Sequence, residues 1–172
     1  MADSIRMTAS GESGKKARVS PRLLRDPVHF LSFGCGTGLA PFAPGTFGTL
    51  LGIPLWLLLQ DVSLIVYLFV LVVLLFGGAW AAGRTSRALG THDHGAIVID
   101  EVLGFLVAMT AAPQGWQWIV AGFLAFRLFD IWKPWPVSLA DRRVHGGIGI
   151  MLDDLLAGLW ALVCLQLAQR FF

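Results

Sequence analysis

The sequence contains long apolar runs that carry acids in their interior. Leu64 to Gly83 holds no charge, but Ile97 to Ala112 holds Asp100 and Glu101, Trp116 to Trp132 holds Arg127 and Asp130, and Ile148 to Ala168 holds Asp153 and Asp154. A shorter run, Phe47 to Leu59, contains Pro54 and falls below the about 17–25 residues of a full crossing. A charged side chain at the centre of a membrane helix costs about 2.5–3.5 kcal/mol even on lenient insertion scales. The chain can therefore fold only if its helices pack so that the charges point inward and find partners. The expected fold is all-α, a polytopic membrane helical bundle with about four to five membrane segments, the first short or re-entrant.

Composition agrees, since 56% of the 172 residues are hydrophobic and only 14% are charged. A formal charge of +2 with no basic stripe excludes a nucleic-acid partner. Residues 1–27 differ in kind, with Arg6, Lys15, Lys16, Arg18, Arg22 and Arg25 scattered among small residues. They read as a basic, disordered cytoplasmic tail, and residues 28–172 as the membrane-embedded catalytic domain. The tail runs into Pro21 and Pro27 and not into an apolar core, so it is not a signal peptide and should stay uncleaved. Cys35 and Cys164 are too far apart in sequence to suggest a disulfide framework, and Cys164 reads as inert packing.

If every run crosses and the tail is cytoplasmic, the turns Gln60–Ser63 and Pro113–Gln117 face outward without Lys or Arg, whereas Arg84, Arg87, Lys133, Arg142 and Arg143 face inward. That is the positive-inside pattern. It places "GCGTGLAPFAPGT", "THDHGAIVIDE", "RLFDIWKPWP" and "GGIGIMLDD" on one side of the bundle. Converging there, Asp100, Glu101, Asp130, Asp153 and Asp154 form a carboxylate set suited to a hard cation such as Mg²⁺ or Mn²⁺. Neighbouring helical residues diverge by about 100°, so one acid of each pair can face the interior and the other an adjoining element. Arg127, Asp130 and Lys133 follow i, i+3, i+6 spacing and share one helical face. The acid can serve a metal while the two cations address a phosphate, with Arg143 and His145 adding donors downstream. The glycines and prolines from Gly34 to Gly45 specify an irregular loop whose backbone N–H groups offer an anion-binding concavity. That loop has neither Rossmann nor Walker spacing.

Blander readings compete with each of these. An isolated acid of this kind is as often a structural ion pair as a functional group, and it is their number on one face that favours function. His92 and His94 read as solvated loop residues. A thiol phosphatase built on Cys35 is excluded, because the Arg it needs six residues on is Pro41. Trp116, Trp118, Trp132 and Trp135 read as interfacial anchors. A small ion or proton transporter using buried carboxylates is the main alternative, but it would spread its acids toward the midplane and often show inverted repeats. A non-catalytic scaffold would lose no activity with its acids. The signatures of CDP-alcohol phosphotransferases and of acid-phosphatase-like lipid phosphatases are absent.

At "PGTFGTL", "HDHGAIVIDE", "FRLFDIWKPWP" and "VHGGIGIMLDDLLAG", from about Phe33 to Gly158, the chain closely resembles the phosphatidylglycerophosphatase A family. The resemblance implies a Mg²⁺-dependent lipid phosphatase that converts phosphatidylglycerophosphate to phosphatidylglycerol and inorganic phosphate in phospholipid biosynthesis. It also implies a multi-pass protein of the bacterial inner membrane, with its site facing the cytoplasm and the bilayer and lipid substrate as its partners. The family's acidic residues carry over onto Asp100, Glu101, Asp130, Asp153 and Asp154, and its basic ones onto Arg127 and Lys133. With Thr46, Arg143 and His145 as further phosphate-binding candidates and one or two Mg²⁺ ions as cofactor, these make up the expected site.

Overall fold

The structure, a computed structural model, describes residues 19–91 and 94–171, in which the chain is helical throughout and contains no strand. A 3-10 turn at Leu23–Arg25 leads into α1 (Pro27–Ser32), capped by the Asp26 side chain accepting from the Val28 N–H. A second 3-10 segment, Gly34–Leu39, precedes α2 (Pro44–Leu59), α3 (Leu64–Leu89), α4 (Ile99–Ala108), α5 (Trp116–Trp132), the short α6 (Val137–Arg143) and α7 (Gly146–Ala168). The tail up to residue 18 and His92 lie outside the described residues. From Val19 the chain is packed, with Val19, Leu23 and Leu24 against a small core of Phe33, Ala82, Ile97 and Ile150.

Two helices, α3 and α7, are long and apolar enough to cross a membrane. Ser63 starts α3 by accepting from the Val66 N–H, and Gly90 ends it with a positive φ of 70°. At 16 residues, α2 has the short length its run suggests. The larger departure is α4, which has 10 residues, or about 15 Å, and does not fill the whole Ile97–Ala112 run. Its all-round apolar character comes from enclosure by protein, since Val102 through Ala108 are all buried.

A helix that stops inside a bundle must satisfy its last carbonyls internally, and three neighbours do this for α4. The Tyr67 hydroxyl on α3 donates to the Leu106 carbonyl at 2.6 Å, and the Trp56 indole on α2 donates to that of Met109 at 3.1 Å. Gln166 on α7 donates to Thr110 O at 3.0 Å. Tyr67→Phe should therefore lower stability by about 1–2 kcal/mol, read as a lower Tm in detergent with phosphatase activity retained.

At the centre, α7 packs against α3, α4, α5 and α6, and α2 lies on α4. The α4–α7 and α3–α7 crossings are glycine contacts: Gly158 sits on the Gly104 carbonyl, and Gly147 on that of Ala79. Small residues let helix backbones approach closely where lipid supplies no hydrophobic drive. Cys164, read as packing, is exposed on the outer face of α7. Its apolar neighbours in sequence gave no sign of which way it points.

Candidate active site

The first turn of α4 carries Asp100 and Glu101, where the positive end of the helix dipole favours acids. The Val98 N–H donates to Ser32 O at 2.9 Å and fixes that turn against α1. Two turns into α7, Asp154 meets them. One carboxylate oxygen from each of Asp100, Glu101 and Asp154 lies within 4.8 Å of the others. Asp154 is only 4% exposed, and both its Oδ2 and Glu101 Oε2 are buried without a hydrogen-bond partner. A buried carboxylate oxygen left in that state is costly. Three converging carboxylates, with Asp154 and Glu101 each presenting such an oxygen, fit a hard divalent cation that would offset their burial.

Asp130 adjoins this group from α5, within hydrogen-bond reach of Asp154 and close enough to act on the charge of Glu101. Its own partner is Arg127, whose guanidinium donates to Asp130 Oδ2 at 2.5 Å. The same guanidinium and Glu101 Oε1 face Gly45 at the start of α2, where a side chain would run into both. Thus α2 begins on the site, with its positive end at Gly45 beside Arg127 and Thr46 next in its first turn. Arg127 Nε is buried with no partner.

The second acidic pair splits. Asp153 turns away from Asp154 toward Lys133, whose ammonium donates to Asp153 at 2.8 Å and to Asp141 at 2.6 Å. Burial works to lower the affinity of Lys133 for its proton, but the hydrogen bonds and charges of Asp141 and Asp153 outweigh it and hold the ammonium firmly protonated. Among the cations, Arg127 directly borders the carboxylate group, and Lys133 stands next to it in a separate ion pair. Arg143, exposed, ends α6, and His145 occupies the N-cap of α7. Asp141 was not singled out in the sequence, where it lies in an ordinary polar stretch, SLADRR.

The first part of the glycine loop serves packing. The N–H groups of Gly36 and Gly38 both donate to Phe33 O, so neither is offered to an anion. Gly38 instead lies directly on the Ala96 backbone and Gly48 on Val98. These close contacts set the path of the segment that delivers Asp100 and Glu101. Nearby, His94 Nδ1 accepts from the Ala96 N–H at 3.2 Å and shapes the same turn.

Among known proteins, the matching family pattern and two of the relatives carry one name, and a third relative carries another. The family pattern described as phosphatidylglycerophosphatase A matches residues 30–169. A phosphatidylglycerophosphatase A from Escherichia coli K12 is 44% identical over 136 residues, covering 78% of this chain and 79% of that protein. One from Haemophilus influenzae is 40% identical over 142 residues, covering 81% and 87%. A Bacteroides thetaiotaomicron relative, provisionally named a phosphatidylinositol-3-phosphatase, is 38% identical over 144 residues, covering 79% and 89%. No solved structure matches. With the family pattern spanning most of the chain and the relatives aligned over most of their own length, the chain belongs to the phosphatidylglycerophosphatase A family and is a phosphatase.

Proposed function

We propose that this membrane phosphatase hydrolyses phosphatidylglycerophosphate to phosphatidylglycerol and inorganic phosphate, with one or two Mg²⁺ ions as cofactor, at the cytoplasmic face of a bacterial inner membrane. The observation that carries this reading is the buried meeting of Asp100, Glu101 and Asp154 beside Arg127. The three carboxylates would hold the metal, with Asp130 braced against them by Arg127. Mg²⁺ bound there supplies positive charge for the phosphoryl oxygens and acidifies water.

The protein's own groups do the rest. Arg127 keeps its Nε–H for a phosphoryl oxygen while its pairing with Asp130 fixes the plane of the guanidinium. The start of α2, at Pro44 to Thr46, adds the positive end of a helix dipole on the same side. Lys133, Arg143 and His145 form the outer rim, where the departing phosphate meets solvent. With α2, α3, α4, α5 and α7 each carrying the chain from one face to the other, the inward bias of Arg84, Arg87, Lys133, Arg142 and Arg143 keeps this end cytoplasmic. The acyl chains then remain in lipid while only the head group enters.

The test is phosphate release from phosphatidylglycerophosphate by detergent-purified protein. Release should fall more than about tenfold in EDTA and return when Mg²⁺ is restored in excess. Release that ignores EDTA would overturn the metal assignment, and folded protein that releases no phosphate from this lipid would overturn the substrate.

A further inference from the structure

Lys133 ends α5 in the left-handed region, with φ 47° and ψ 57°, a conformation that a non-glycine residue adopts only when its surroundings hold it there. The holding groups are on two other elements: Asp141 on α6 and Asp153 on α7, the immediate neighbour of Asp154. The side chains of Lys133 and Asp141 are 30% and 39% exposed. An arm that open to solvent contributes little to stability, unlike the arm to Asp153, whose side chain is only 11% exposed, so the Asp141 contact has another reason.

That reason lies in the donor inventory of the ammonium. Lysine has three N–H donors and no acceptor. With two committed to fixed oxygens on separate helices, the ammonium can no longer rotate, and its remaining donor has one direction. Without Asp141, Lys133 would hold a single acid, regain its rotation and settle on the carboxylates of α7.

We propose that Asp141 is a positioning residue for phosphate recognition: by holding Lys133 between α6 and α7, it orients the remaining ammonium donor for the dianionic phosphate of a phosphomonoester. This rests on the phosphatase reading above and extends it to a residue outside the carboxylate group. It also gives α6 a part in the site, because the Lys133–Asp141 bond ties the helix carrying Arg142 and Arg143 to the end of α5.

The experiment compares Asp141→Asn, Asp141→Glu, Lys133→Met and the Asp141→Asn/Lys133→Met double variant with the unaltered protein. It reads kcat and KM on phosphatidylglycerophosphate, calorimetric binding of inorganic phosphate with Mg²⁺ present, and Tm. Asp141→Asn and Lys133→Met should each raise KM and weaken phosphate binding about tenfold; Tm should be nearly unchanged in Asp141→Asn and lower in Lys133→Met, which takes the ammonium away from the buried Asp153. The double variant should be no worse than Lys133→Met alone, and Asp141→Glu should recover most of the loss. Unchanged KM and phosphate binding in Asp141→Asn, additive losses in the double variant, or a fall in the Tm of Asp141→Asn that tracks its loss would each overturn the proposal. If the unaltered protein leaves this lipid intact, the substrate reading fails. Phosphate binding by the same variants then still decides the role of Asp141.

Discussion

Asp154→Asn should leave the protein folded and lower phosphate release at least about a hundredfold. Asparagine keeps the shape of the side chain and removes its charge, which is the property the site depends on. Asp154 is buried among the charges of Asp130, Glu101 and Asp153, with Arg127 the cation that adjoins them. Relieving that repulsion should hold Tm level or raise it, as is common where a fold has traded stability for activity. The measurement pairs phosphate release at saturating Mg²⁺ with thermal unfolding followed by tryptophan fluorescence. A variant that keeps full activity would remove Asp154 from the metal site. A variant whose Tm falls with its activity would make the residue structural.

The second large effect concerns a residue with no functional group. Gly158 lies one turn beyond Asp154, and a Cβ there would meet the Gly104 backbone, with its carbonyl carbon 3.1 Å away, and Val107 Cβ, also at 3.1 Å. A Cβ on Gly104 would in turn meet the Phe126 ring and the Asp154 carbonyl of α7. Neither backbone can yield as a flexible side chain would, so α4 and α7 must move apart. Overpacking of this kind costs about 1–3 kcal/mol, or about 6–12 °C in Tm at the upper end for a chain of this size. Phosphate release should fall with it, because separating α4 from α7 separates Asp100 and Glu101 from Asp154. Gly77→Ala is the control: an added Cβ there meets nothing within 4 Å, and it should leave both Tm and activity in place. If Gly158→Ala were equally silent, the close crossing would not be what assembles the site.

Much of this protein follows from its sequence alone. Apolar runs too long for a soluble domain required helices, and acids placed inside those runs had to meet, because none could stay buried alone. The glycine pattern marked close approach of backbones but could not say to what. In the loop before α2 the same residue type serves an anion cradle or tight packing equally well, and at Gly36 and Gly38 the bonds to Phe33 O decide for packing. The sequence also could not tell which acid of the second pair faces inward, since a 100° step between neighbours fixes their divergence and not their absolute direction. Only the packing of α7 against α4 and α5 turned Asp154 to the carboxylate group and left Asp153 to Lys133. Asp141 was beyond reach for the same reason: its partner is brought to it by the chain's turn through Pro134 and Pro136, and a bond across that turn leaves no periodic trace. The chemistry was set by which side chains are present and the site by helix rotation, which depends on contacts between residues far apart in the chain.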